Sequence, residues 1–296
     1  MTFTAVHSLT VTYIDKQHAS LYTGNTRGDD VLVKDKEHLE AKKLSEARGQ
    51  LIVKRNDLIQ KSRHQMDLQE QKIILYMISK IKPKDNDFTT QTFSIAEFCR
   101  LCGFDSDSGG NYAYIKKTLK TLSDRSIWVT LDNGSETIMR WLTDVTISKQ
   151  SGLVQLKLDD KLKPYLLELH ENFTQYELVY TLAMRSQYSA RLYELLKSYQ
   201  YKKYAIFTLD ELKRLLFAEN YERNPDFKRR VLDTATKEIN KLTDIWVTYE
   251  LIKAGREYAS VEFRVNQKDV GGRLSAHGHI GEVIDRRVDT AKYNTP

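Results

Sequence analysis

The stretch Phe207-Thr208-Leu209-Asp210-Glu211-Leu212 repeats, position by position, the pattern of Phe93-Ser94-Ile95-Ala96-Glu97-Phe98. In each, a hydroxyl residue precedes a Glu by three positions, the spacing of a capping box. An apolar residue before the cap is matched by one at the fourth helical position, the spacing of a hydrophobic staple. Each stretch therefore predicts the start of a short helix, and Gly103 ends the first of them. Upstream of the first, Leu68 to Ile81 is densely apolar and predicts a helix with Leu68, Leu75, Ile78 and Ile81 on one face, opened by a capping box of Asp67 and Glu70. Upstream of the second, Ala190 to Tyr199 is helical by composition. Downstream of the first, a Gly109-Gly110 loop leads into a third helix, Tyr112 to Asp124, with Ile115, Leu119 and Leu122 on one face. Downstream of the second, Phe227 to Leu242 carries Phe227, Val231, Ala235, Ile239 and Leu242.

Each third helix leads into a predicted hairpin. Ile127–Leu131 and Thr137–Ile147 flank Asp132-Asn133-Gly134-Ser135, with Asn-Gly at the tip, and the alternating run Leu153–Leu158 is expected to extend that sheet. The later hairpin turns at Lys253-Ala254-Gly255-Arg256. Leu242-Thr243-Asp244-Ile245-Trp246-Val247-Thr248 echoes Leu122-Ser123-Asp124 followed by Ile127-Trp128-Val129-Thr130. From staple Phe to Trp is 35 residues in one copy and 39 in the other, so the unit is duplicated.

A helix, a capped helix, a third helix and a hairpin form the order of a winged helix-turn-helix. The expected fold is α+β, two tandem winged helix-turn-helix domains related by internal duplication. Residues 1–50 are read as an N-terminal arm with a short solvated helix within Lys34–Arg48, 51–165 as the first domain and 166–266 as the second. Residues 267–296, with Gly271, Gly272, Gly278 and Gly281, are read as a tail. Trp128 and Trp246 are expected in the core beneath each wing.

Composition narrows the class. The chain has 296 residues, 41% hydrophobic and 29% charged, ordinary globular values that argue against a disordered, collagen-like or membrane protein. Its longest purely apolar run, Ile73–Ile78, is far below the roughly 18 residues a membrane helix needs. No charged n-region precedes an apolar segment at the N-terminus, and Cys99 and Cys102 are the only cysteines, so a reducing, cytoplasmic setting is expected. A net charge of +6 identifies no partner by itself, and the placement of the charge matters more.

If each third helix buries its apolar face, the 100° step per residue predicts what the opposite face carries. In the first domain that face shows Tyr114, Lys117, Lys120 and Thr121, with Lys116 at its edge. In the second it shows Arg229, Asp233, Thr236, Lys237 and Asn240, with Arg230 at its edge. Such helices suit the major groove of double-stranded DNA, where Arg pairs with guanine, Asn with adenine and Asp with the cytosine amino group. The second helix is thus expected to specify sequence and the Lys-rich first one to anchor on phosphate. Lys253 and Arg256 place two cations at the second wing tip.

Four segments then carry a resemblance: Leu51-Ile52-Val53-Lys54 through Asn56-Asp57-Leu58-Ile59, Leu68 through Leu75, Asn172-Phe173-Thr174-Gln175-Tyr176-Glu177-Leu178, and Ser189 through Leu196. In this order they resemble the plasmid replication initiator proteins of the RepB/Rep_3 family, over about Leu51 to Val265. The resemblance implies a bacterial, plasmid-encoded DNA-binding protein that grips directly repeated origin sequences, the iterons, as a monomer. It implies that bound monomers help open an A·T-rich segment and bring in host initiator and replicative helicase. It also implies a dimer that acts as autorepressor on an inverted repeat, with the first domain as dimerisation element and the second domain's third helix making the main base contacts.

Enzymatic rivals find little support. A rolling-circle nicking enzyme needs His-hydrophobic-His and a Tyr nucleophile, but His277-Gly278-His279 has Gly at its centre and sits in the expected tail. Cys99-Arg100-Leu101-Cys102 lacks a second ligand pair and reads as buried structural thiols. No phosphate-binding Gly-x-x-x-x-Gly-Lys-Ser/Thr loop occurs, so no ATPase is expected, and Asp159-Asp160 read as a helix cap. The chain is thus expected to be no enzyme and to need no cofactor or metal. The remaining rival is a dedicated winged-helix transcription repressor.

Overall fold

The computed structural model describes residue 39 and residues 42–82, 84–102, 109–148 and 150–293. Most of the expected arm, and Gly103, lie outside the described residues. Helix α1 spans residues 42–48, and Arg48 donates from Nε to the Leu101 carbonyl and from Nη2 to the Arg100 carbonyl, both at 3.2 Å.

The first half runs β1 (Leu51–Arg55), α2 (Asn56–Gln60), β2 (Ser62–Arg63), α3 (Leu68–Ser79), β3 (Gln91–Ser94), α4 (Ile95–Cys102), α5 (Gly109–Ser123), β4 (Ser126–Thr130), β5 (Glu136–Arg140), β6 (Leu142–Ile147), β7 (Leu153–Leu158) and α6 (Lys163–Leu166). The second runs β8 (Phe173–Glu177), α7 (Val179–Leu182), α8 (Gln187–Ser198), β9 (Tyr204–Thr208), α9 (Leu209–Leu215), α10 (Asn224–Phe227), a π-helical turn (Lys228–Asp233), α11 (Thr234–Leu242), β10 (Ile245–Ala254), β11 (Glu257–Gln267) and α12 (Val270–Tyr293). The sheets are antiparallel, in the orders β3-β7-β6, β2-β4-β5, β10-β11-β9 and β1-β8.

The helix starts follow the sequence. Asp67 accepts from the Gln69 and Glu70 amides at 2.8 Å while Glu70 accepts from the Asp67 amide at 2.7 Å, a complete capping box. The Ser94 hydroxyl accepts from the Glu97 amide at 3.0 Å, but the Glu97 carboxylate accepts from the Tyr76 hydroxyl instead of reaching back. The expected staple forms, with the Phe93 and Phe98 rings 6.1 Å apart. Thr208 caps α9 in the same way, accepting from the Glu211 amide at 3.1 Å. Asp159 accepts from the Lys161 amide, the expected cap.

Five expectations need correcting. Helix α3 does not bury one face: every residue from Glu70 to Ser79 is buried, because β1, α5 and α8 pack around it. Gly109 and Gly110 form no loop but the first turn of α5. The run Thr137–Ile147 is not one strand. It divides at the buried Trp141, β5 staying with β4 while β6 joins β7 and β3. By sheet order the counterpart of β10-β11-β9 is β6-β7-β3, so β4-β5 is an additional hairpin of the first half, although its sequence echoes β10.

The two tryptophans are the fourth correction. Ile127 and Val129 on β4, and Ile245 and Val247 on β10, face the core, so the period of two turns Trp128 and Trp246 to solvent, 42% and 51% exposed. The fifth is the tail. Residues from Val270 form a long helix whose Ala276, Ile280 and Ile284 are buried, packed on α11.

The halves are tied by β1, which pairs with β8 from Leu51↔Glu177 to Arg55↔Phe173, across the expected 165/166 boundary. At that seam Lys54 Nζ meets Glu194 Oε1 at 2.5 Å, and the Tyr176 hydroxyl donates to the same oxygen. Burial works against the Glu194 carboxylate, but the Lys54 and Arg191 charges and these two bonds outweigh it and hold its pKa below the ordinary value. A second buried carboxylate, Asp244, accepts from Tyr193 and Lys197.

Candidate nucleic-acid interface

The two third helices carry the cations that the apolar pattern leaves outside. On α5, Ile115, Leu119 and Leu122 are fully buried, and Tyr114, Lys116, Lys117 and Lys120 are exposed. No described residue pairs with these three lysines in a salt bridge. Thr121 is half-buried and its hydroxyl donates to the Lys117 carbonyl at 3.1 Å.

On the second domain, Phe227, Val231, Ala235, Ile239 and Leu242 are buried as expected, and Leu232 joins them. Leu232 belongs to the π turn, where wide i,i+5 spacing replaces i,i+4. Two side-chain contacts follow that spacing: Lys228 Nζ holds Asp233 at 2.9 Å, and the Thr234 hydroxyl donates to the Arg229 carbonyl at 3.3 Å. Arg229, Arg230, Asp233 and Lys237 are exposed. Arg229 makes one loose pair with Asp226 at 3.3 Å. The Thr236 hydroxyl is buried with no partner among the described residues.

Two expected readers are engaged within the protein. Asn240 is half-buried and brackets the edge of the sheet: its Nδ2 donates to the Val247 carbonyl at 2.8 Å and its Oδ1 accepts from the Val247 amide at 2.7 Å. Since β10 is an edge strand, this amide closes backbone groups that no neighbouring strand reaches. Asp233 accepts from Lys228 and from the Tyr249 hydroxyl. Burial alone would raise its pKa, but these bonds hold it below the ordinary value, whereas burial and the Asp233 carboxylate push Tyr249 up to about 12. Spacing could not reveal the Tyr249 contact, because it joins a helix to a strand 16 positions away.

The wing carries its cations as expected. Gly255, at φ 69°, makes the tight turn between β10 and β11, and Lys253 and Arg256 are exposed beside it. Lys253 leans over the Tyr258 ring, 5.2 Å from its centroid.

The other candidate chemistries meet structural explanations. His277 and His279 stand two apart on α12, a spacing at which side chains do not face each other. His277 Nε2 lies 3.2 Å from the Tyr180 hydroxyl and 3.4 Å from Glu177, fastening α12 to the body. Cys99 and Cys102 are buried on α4. Among the described residues no three His, Cys, Asp or Glu side chains cluster as a metal site. None of the described helices is long and apolar enough to cross a membrane.

Fold and exposed helices together define a tandem winged-helix protein. The chain matches the family description "Initiator Replication protein, WH1" over residues 51–197 and "Initiator Rep protein, WH2" over residues 208–265, more than two thirds of its length. It belongs to this family of replication initiator proteins. Among curated proteins it is similar to the PI protein of Escherichia coli, 31% identical over 158 residues, which is 46% of this chain and 50% of that one. It is also similar to an uncharacterized 27.6 kDa protein of Escherichia coli, 29% identical over 123 residues, 41% of this chain and 52% of that one. The chain thus spans about half the length of the curated relatives it matches. Its fold is also that of the Pi initiator protein solved in complex with iteron DNA, with a TM-score of 0.61 and 24% identity over 75% of this chain and 99% of the other.

Proposed function

We infer that the chain initiates plasmid replication by seating both third helices on the repeated sequence of its origin. The observation that carries this reading is the pair of winged-helix domains that each bury an apolar stripe and expose a cationic one, in a chain whose family is that of replication initiators. The Pi initiator protein, of the same fold, was solved with iteron DNA, which supports duplex DNA as the ligand here. On α5 the lysines hold phosphates; on the second domain Arg229, Arg230 and Lys237 face the bases, with Lys253 and Arg256 at the wing, while the buried Thr236 hydroxyl does not reach them.

No step requires bond-breaking by the protein. Origin opening is driven by binding energy and supercoiling, and host initiator and replicative helicase complete the assembly. A dimer of the same chain represses its own gene. In the cytoplasm of the plasmid's host, the gene supplied together with a cloned origin is expected to replicate an otherwise inert plasmid. Repression of its promoter without such replication would favour a dedicated repressor instead. Metal-dependent relaxation of a supercoiled origin plasmid would replace the non-enzymatic reading with a nicking one.

A further inference from the structure

An open cleft of about 480 Å³ lies at the seam of the two domains, lined by Arg63, His64 and Gln65 from the first and Gln187, Arg191 and Asn220 from the second. Its lining is rich in donors. The one carboxylate, Glu219, is already held by Arg63 Nη2 at 2.6 Å. The guanidinium of Arg63 lies over the Phe217 ring, 4.7 Å from its centroid, and its Nε is buried without a partner among the described residues, as is His64 Nδ1. A buried donor without an acceptor, as Arg63 Nε is, is rare in folded proteins and marks a place where an acceptor is missing. Burial keeps the His64 ring neutral, its pKa well below the ordinary value, with the Arg191 and Lys54 charges adding to the effect.

Elements that border the cleft also touch each third helix. On one side, Met66 of its lining precedes Asp67, whose charge, after burial, raises the pKa of Tyr114 on α5, and α3 packs on α5. On the other, Glu238 of α11 accepts from the Arg185 and Ser186 amides at 3.0 and 3.3 Å, directly before Gln187.

We propose that the cleft receives a backbone phosphate of the DNA strand that crosses from the first domain's major-groove contact to the second's, with Arg63 as its charged donor and Gln65 and Asn220 as polar ones. This rests on the DNA reading above and adds a contact that neither third helix supplies. A donor set of this kind binds any phosphate, so the test separates a phosphodiester from a free anion.

The test uses the full chain and an origin-repeat duplex in which single phosphates between the two major-groove contacts are replaced, one at a time, by neutral methylphosphonates. For the unmodified chain, one position is expected to cost about tenfold in affinity. Arg63→Gln is expected to lose about tenfold on unmodified duplex, to reduce the salt slope by about one, and to lose nothing further at that position. Because Arg63 also holds Glu219 and Phe217, the exposed Gln65→Ala and Asn220→Ala are tested alongside, and a smaller loss concentrated at the same phosphate is expected. If no phosphate in the stretch matters, or its loss adds independently to that of Arg63→Gln, the proposal is wrong while the DNA reading stands. If the unmodified chain prefers the origin repeat no more than a scrambled duplex, the DNA reading itself fails. If inorganic phosphate alone shifts the melting temperature through Arg63 while the variants bind DNA normally, the cleft is a small-anion site and the proposal is overturned.

Discussion

Asn240→Ala separates the two roles an Asn on a helix facing DNA can play. In the structure its amide closes both backbone groups of Val247, a residue with no exposed surface, at 2.7 and 2.8 Å. Removing it deletes two hydrogen bonds, each worth about 1 kcal/mol net, and leaves a backbone amide and carbonyl short of partners at an edge that water reaches only in part. Leaving a buried group unsatisfied costs about 1–3 kcal/mol. The two effects overlap, so the expected loss is about 2–4 kcal/mol. Urea unfolding followed by circular dichroism would read it as a lower midpoint at unchanged slope. Binding of origin DNA, measured at a urea-free temperature where the variant is folded, should keep its base preference. A variant with wild-type midpoint and relaxed preference at one adenine would refute the bracket and restore Asn240 as a reader.

Other outcomes follow from the same geometry. Arg230→Ala is expected to weaken origin binding by about 1–3 kcal/mol and relax base preference, whereas Lys120→Ala weakens all duplexes alike and lowers the salt slope by about one; anisotropy titrations across salt concentrations measure both. The Glu194 carboxyl has a folded pKa below its ordinary 4.5, so the stability it contributes is fully present above that value and drains away as pH falls through the lower folded value. Acid titration of stability should show this loss, and Glu194→Gln should be less stable at neutral pH and flatter over that interval. Trp128→Phe and Trp246→Phe are each expected to remove an acrylamide-quenchable fluorescence component with stability changes within about 0.5 kcal/mol, whereas Trp141→Phe removes the protected component.

The parts of the fold that were legible depended on short-range chemistry. Caps at Asp67, Ser94 and Thr208, and the stripes on both third helices, are set by residues within a few positions of one another; the stripes and the Asp67 box form in full, and at Ser94 and Thr208 the hydroxyl half of the box forms. What failed depended on packing partners distant in sequence. The unbroken run Ile73–Ile78 signals a helix apolar all round rather than on one face, which is what burial by β1, α5 and α8 requires. The period of two puts Trp128 and Trp246 on the solvent face of strands whose Ile127, Val129, Ile245 and Val247 point inward, so an aromatic repeated at matching positions is no guide to burial on a strand with one solvated face. In the C-terminal segment each Gly lowers helix stability by about 1 kcal/mol relative to Ala, yet Ala276, Ile280 and Ile284 recur every four residues and their burial offsets it.

The candidate interface was legible as a face and not as a set of free donors, for a physical reason. The polar side of a helix includes residues that serve the protein itself, and only bond partners across the fold tell them apart. Asn240 and Asp233 occupy that side by spacing, yet one closes a sheet edge and the other is held by Lys228 and Tyr249. Strength of engagement then decides availability. The Arg229–Asp226 pair is loose, with the Arg229 side chain 69% exposed, and exposed pairs contribute at most about 1 kcal/mol, so a phosphate or guanine edge can take the guanidinium over. The Asn240 bracket cannot be exchanged so cheaply, because DNA offers nothing to the Val247 backbone in return. On the proposed DNA reading, specific contacts by the second domain are therefore expected at Arg229, Arg230 and Lys237, rather than on the helix's last turn. Base contacts at Arg229 and Arg230 would lie toward the N-terminal half of the helical stretch Asn224–Leu242, the end that enters the major groove in helix-turn-helix docking, and footprinting of single Ala variants at these two positions against Asn240→Ala checks it.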